Sequence, residues 1–123
     1  MLKDRPAFSG FSADDVGKEK AFYADTLGVD VTEENGMLTL RLAGGQRVLI
    51  YPKDDHQPAT YTVLNFEVDD IDAAVDQLSA AGVTFERYEG VPHDDRGIVR
   101  EWGPPIAWFK DPAGNILAVI QTT

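Results

Sequence analysis

Side chains able to do chemistry are few in this sequence, and their types decide which reactions are open to it. Cysteine is absent, so thiolate nucleophiles, disulfides and cysteine-metal sites are excluded together. The only histidines are His56, in the polar stretch Pro52 to Ala59, and His93, in Val91-Pro92-His93-Asp94-Asp95-Arg96-Gly97. A His-Asp-Asp cluster carries lone pairs for a cation and an imidazole suited to proton transfer. In a polar loop such residues are ordinarily just solvated, so no metal is expected there. Ser9, Ser12 and Ser79 have no histidine beside them in sequence, and no glycine-rich phosphate loop or nucleophile motif is present. Glu67 could anchor a cation or, if desolvated, act as a base. Arg41 could pair with Glu67 or with an anionic ligand, and Tyr51 and Trp108 offer flat faces to a planar or cationic molecule.

Composition narrows the partners. The 123 residues fit one domain able to bury a core. A hydrophobic share of 43% with 26% charged residues is ordinary for a globular protein. The net charge of −10 argues against nucleic acid, whose phosphates need a basic surface. Acidity could steer a cationic ligand inward, although keeping the protein soluble is its commoner effect. No apolar run is long enough to span a membrane. Met1 to Pro6 lacks the apolar core of a signal peptide, and the expected location is the cytoplasm.

The elements that must position these residues read off in order. Phe8 to Ala13 is a strand leading into Asp14-Asp15, suited to a helix N-terminus. A helix follows over Val16 to Thr26, ended by Gly28. Val29 to Glu33 and Met37 to Leu42 are strands around the hairpin signal Asn35-Gly36. Arg47 to Tyr51 is a fourth strand. The proline-bracketed segment 52–59 is a connector. The pattern then restarts: strand Thr60 to Val68, cap Asp69-Asp70, helix Ile71 to Ala81, strand Val83 to Tyr88. A last pair of strands flanks Asp111-Pro112-Ala113-Gly114-Asn115, a turn by its Pro, Gly and Asn. Phe11-Ser12-Ala13-Asp14-Asp15-Val16 lies over Phe66-Glu67-Val68-Asp69-Asp70-Ile71 at a constant offset, and Leu27-Gly28-Val29 over Ala81-Gly82-Val83. The chain is therefore an internal repeat of two β-α-β-β-β modules, 7–51 and 60–122, the second lengthened by Glu89 to Pro105.

Three stretches carry a family resemblance: Ala21-Phe22-Tyr23-Ala24-Asp25-Thr26-Leu27-Gly28, Phe66-Glu67-Val68-Asp69-Asp70-Ile71-Asp72, and Phe109-Lys110-Asp111-Pro112-Ala113-Gly114-Asn115. With the doubled module they resemble the vicinal oxygen chelate superfamily, which includes glyoxalase I, extradiol dioxygenases, fosfomycin-inactivating enzymes and bleomycin-resistance proteins. The resemblance implies an α+β fold in which the strands form one curved, cup-like mixed sheet with the helices outside. It also implies a homodimer and a small organic ligand in the cup. The superfamily's enzymes hold a divalent metal at four positions that fall here on Phe8, Leu49, Val63 and Ala118. None can donate to a metal, and a one-residue slip turns the strand face over. No metal or other cofactor is expected.

Strand alternation then assigns the cup face. Phe66 and Val68 pack beneath the helix, leaving Val63, Asn65 and Glu67 facing the cup, with Phe8, Gly10 and Ser12 by the repeat. Leu49 and Tyr51 face inward from the fourth strand, Ala118 and Ile120 from the last, and Trp108 if Phe109 packs on the helices. With Arg41 these are the expected ligand-binding residues: Phe8, Arg41, Leu49, Tyr51, Val63, Asn65, Glu67, Trp108, Ala118 and Ile120. The same apolar residues could instead fill the cup or bury a dimer interface. Trp102, beside Gly103-Pro104-Pro105, could form a lid or an interface patch. The expected function is metal-free binding of an organic or cationic molecule in the manner of bleomycin-resistance proteins. The alternative is a glyoxalase- or dioxygenase-like enzyme using Glu67 or Tyr51 for acid-base chemistry, or an unrecognised metal site.

Overall fold

The structure, a computed structural model, describes residues 1–122. Both Asp-Asp pairs open helices, as their position before an apolar stretch predicts. Asp15 caps α1 (Val16–Ala21) by accepting from the Lys18 N–H, and Asp70 caps α2 (Ile71–Ala80) by accepting from the Ala73 N–H, each at 3.1 Å. Gln121 Oε1 accepts from another N–H of the α2 first turn, that of Ile71, at 2.9 Å.

The helix expected over Val16 to Thr26 is α-helical only as far as Ala21. From Phe22–Thr26 it widens into a π turn, with the Leu27 N–H donating to the Phe22 carbonyl at 3.0 Å. Tyr23 is fully buried there, edge-on to Phe22 at 5.4 Å and 6.4 Å from Phe11. Packing of these rings overrides simple helical propensity. Gly28, at φ 71°, ends the turn as expected.

Two compact units divide the chain, the first being Met1–Gln57 and the second beginning at Pro58. In the first, β1 (Ser9–Ala13), β4 (Arg47–Pro52), β3 (Met37–Arg41) and β2 (Asp30–Glu34) lie side by side in that order. β1 runs parallel to β4 and the other pairs are antiparallel. Asn35 and Gly36 both take positive φ, the tight hairpin their sequence signals. One face buries Phe11, Ala13, Leu38, Leu40, Val48 and Ile50, and α1 packs against β3 and β4.

The second unit holds β5 (Thr62–Val68), β7 (Ile116–Gln121) and β6 (Ile106–Lys110), again with first and last strands parallel. Hydrogen bonding thus divides the strands between two mixed sheets, one per unit, where the resemblance implies one continuous sheet. The α+β class stands. The strand expected over Val83 to Tyr88 does not form. Phe85 makes one bridge to Phe109, and the Glu86 N–H donates to the Trp108 carbonyl at 2.8 Å. The reason is competition for the outer edge of β6. Val99, inside the inserted segment, takes Ile106 through hydrogen bonds of 2.8 and 3.1 Å, and Ile98 and Val99 are fully buried. The insertion is partly core, not wholly loop.

Candidate functional site

Strand register sorts the residues of the second unit into rows. Asn65, Ala118 and Trp108 align across β5, β7 and β6, and Glu67, Ile120 and Ile106 form the next row. Phe66 and Val68 register with Val119 and Gln121 on the opposite face, where α2 is tied by Gln121. Alternation assigns these faces correctly. It fails at Val63: the register shifts between Thr62 and Leu64, so Thr62 aligns with Ile116 and shares the Ala118 face. Val63 is the residue skipped at that irregularity, and a bulge of this kind hands its expected place to Thr62. Ala118 is wholly buried, whereas Asn65 and Glu67 stand exposed.

Trp108 is fixed at the centre of an aromatic corner. Its indole Nε1–H donates to Thr62 Oγ1 at 3.1 Å. Tyr88 and His93 meet it edge-on, with centroids at 5.7 and 6.0 Å. Beside them opens a hollow of about 220 Å³ lined by Thr60, Tyr61, Thr62, Tyr88, Trp108 and Ile116. Tyr61, 70% exposed, presents an aromatic face at the rim. The Tyr88 hydroxyl is buried without a hydrogen-bond partner among the described residues. Burial first, and the nearby Glu86 carboxylate second, push its phenol above the usual range.

His93 is occupied elsewhere. Its Nε2 accepts from the Tyr88 N–H at 2.9 Å, which leaves Nδ1–H to donate to the Gly97 carbonyl at 2.8 Å. Both ring nitrogens are engaged, so the imidazole serves neither as a base nor as a metal ligand in this geometry. Its neighbour Asp94 also turns inward, accepting from the N–H groups of Arg96 and Ile98 at 2.9 Å each. The loop cluster is a structural clasp.

In the first unit Gly10, Ser12, Leu49, Tyr51, Thr39 and Arg41 share the face opposite the buried one. Phe8 precedes β1 and is 56% exposed, with the Arg47 guanidinium over its ring at 4.9 Å. Ser12 Oγ and His56 Nδ1 lie 2.7 Å apart, a pairing hidden in sequence because the connector only brings them together on folding. Strand register therefore puts Arg41, Leu49 and Tyr51 on one face of the first unit's sheet, and Asn65, Glu67, Trp108, Ala118 and Ile120 on one face of the second unit's sheet; of the expected residues only Trp108 lines the hollow. Thr60, Tyr61, Thr62, Tyr88 and Ile116 were not expected. Only Tyr61 and Tyr88 carried a signal, as aromatics flanking strand-like runs.

Doubled βα modules closed by parallel strands, with an open sheet face in each, define the class. The chain belongs to the glyoxalase/bleomycin resistance protein/dioxygenase superfamily, whose family model matches residues 8–119. The protein YraH of Bacillus subtilis (strain 168), itself uncharacterised, is 25% identical over 122 residues, spanning 87% of this chain and 90% of that protein. A glyoxalase family protein from Enterococcus faecalis superposes with a TM-score of 0.72 at 24% identity, covering 98% of this chain and all (100%) of that one. A bleomycin-binding protein complexed with bleomycin superposes with a TM-score of 0.69 at 24% identity, covering 96% and 98%. At these identities the two structures establish the fold.

The donor set does not fit the metal associated with the superfamily's enzymes. At the positions the resemblance assigns to the metal, Phe8, Leu49 and Ala118 present hydrocarbon, Thr62 in the place of Val63 offers only a hydroxyl that accepts from Trp108, and among the described residues no group of three His, Asp or Glu side chains could hold a metal. No helix is long and apolar enough to cross a membrane among the described residues.

Proposed function

We propose that this protein binds a small organic molecule, as a homodimer, and that a planar or cationic part of the ligand lies in the hollow against Trp108. The observation that carries the reading is that hollow. Trp108 and Tyr61 supply ring faces, Thr60 and Thr62 supply hydroxyls, and Ile116 an apolar floor. Small-molecule sites combine apolar walls with a few placed polar groups and run from roughly 300 to 1,000 Å³; the walls of this hollow are about equally polar and apolar. A hollow of about 220 Å³ suits one ring system or one alkylammonium group of a larger ligand. The net charge of −10 supports a cation by long-range attraction. Glu67 stands in solvent and is not the desolvated carboxylate that base chemistry needs. The lack of imidazole and carboxylate at the positions the resemblance assigns to the metal supports binding over metal-assisted catalysis.

Thermal-shift measurements with planar aromatics, aryl-trimethylammonium compounds and cationic glycopeptides test the reading. A ligand near 100 times its Kd stabilises the native state by about 2.7 kcal/mol, a readily measured shift. The expected outcome is stabilisation by a planar cation that Trp108→Ala abolishes and the exposed-site variant Tyr61→Ser weakens. Stabilisation unchanged in Tyr61→Ser and Trp108→Ala, or absent with every compound, would sink it. Light scattering giving the mass of a single chain would remove the homodimer from the reading.

A further inference from the structure

Arg41 and Arg47 face each other directly across β3 and β4. Just beyond them the Leu42 N–H donates to the Gln46 carbonyl at 2.9 Å. The alternation of an antiparallel ladder then makes Arg41 and Arg47 a non-hydrogen-bonded pair, with Cα atoms about 4.5 Å apart and side chains at their closest. Like charges so opposed repel. Neither guanidinium has a carboxylate at ion-pair distance among the described residues, in a chain with 21 acidic residues against 11 basic. Asp30 is the register partner of Arg41 on β2, yet it forms no ion pair with it. Arg47 lies instead over the exposed ring of Phe8, at 4.9 Å. Leu49 and Tyr51 continue the same face along β4.

We propose that Arg41, Arg47 and Phe8 form a site for a small aromatic oxyanion. A carboxylate or phosphate bridging the two guanidinium forks removes their repulsion and satisfies planar donors in the geometry they favour. The ligand's ring lies against Phe8 and Leu49, extending the stack that Arg47 begins. The site is contained within the first unit and stands or falls independently of the hollow beside Trp108.

Backbone and arginine side-chain NMR shifts are followed while phenyl phosphate, benzoate, inorganic phosphate and benzylammonium are titrated in separate samples. Phenyl phosphate or benzoate is expected to give saturable shifts at Gly10, Leu49 and the Arg47 Nε–H. Arg41→Gln and Arg47→Gln are each expected to weaken that Kd at least tenfold. Both variants are expected to stay folded, because both arginines are exposed and neither forms an ion pair among the described residues. An unchanged Kd in the double variant, or equal shifts from benzylammonium, overturns the site. So does loss of the fold in either glutamine variant, which would make the arginines structural. Inorganic phosphate binding as tightly as phenyl phosphate overturns the aromatic half of the assignment.

Discussion

Asp111 reads in sequence as an ordinary turn residue and is, in the fold, a buried anchor exposed by only 4%. Its Oδ1 accepts from the N–H groups of Ala113 and Asn115 at 3.0 and 2.9 Å, and its Oδ2 accepts from the Asn115 side-chain amide at 3.1 Å. With Gly114 at φ 84°, this carboxylate sets the path from β6 to β7 and hence the row in which Trp108 meets Ala118. Asp111→Ala strips acceptors from buried donors and should cost about 1–3 kcal/mol. Urea unfolding checks this, with a lower midpoint and an unchanged slope expected. An unchanged midpoint would show that the backbone holds the turn unaided. The residues that alternation places on the expected face, Asn65, Trp108, Ala118 and Ile120, lie where the register is continuous, beyond the shift at Thr62 and Leu64. Thr62 escaped because one irregularity reverses the alternation, and sequence carries no mark of it.

Among the elements, the inserted segment differs most from expectation. Its polar, proline-containing sequence suggests a loop, yet it seats Ile98 and Val99 in the core and pairs Val99 with Ile106 at the start of β6. Asp94 organises it. Burial opposes ionisation, but the N–H groups of Ile98 and Arg96 and the Arg100 guanidinium outweigh it and hold the Asp94 carboxyl below its usual range. A carboxyl lowered on folding stabilises the native state above its unfolded pKa, near 3.8, and that contribution is lost as the pH falls through the folded value. Amide exchange at Ile98, corrected for its intrinsic pH dependence, should therefore lose protection as the pH drops from 5 toward 2 by roughly one unit steps. In Asp94→Asn the pH dependence of this protection should be much reduced. The same acid sensitivity in the variant would assign the loss to another carboxyl. Pairs such as Arg96 with Asp76 at 3.1 Å and Arg100 with Asp72 lie half-exposed along α2 and add little singly.

At the scale of the whole molecule, net charge is the property that length and composition state most directly. Self-repulsion at −10 destabilises the compact state, and salt screens it, with the Debye length falling from about 30 Å at 0.01 M to about 10 Å at 0.1 M. The melting temperature should rise across that range in sodium chloride. A fall would show that the Arg96 and Arg100 ion pairs outweigh the general repulsion. The same screening should weaken an organic cation in the hollow of the second unit and an oxyanion at Arg41 and Arg47.

Local chemistry, written in the sequence, determines much of this protein. The caps at Asp15 and Asp70, the turn glycines and the hydrophobic periodicity depend on neighbours in the chain, so they are legible there, and their recurrence at a constant offset reveals the doubled module. The hydrocarbon side chains of Phe8, Leu49 and Ala118 are equally a property of sequence. What only tertiary structure decided depends on partners distant in the chain. The π turn at Phe22–Thr26 follows from ring packing around Tyr23. The loss of the strand at Val83 to Tyr88 follows from Val99 claiming the edge, and the aromatic corner from a register shift that brings Thr62 to Trp108. Contacts of that kind are selected by the competition among packed surfaces, and a linear pattern does not contain its outcome.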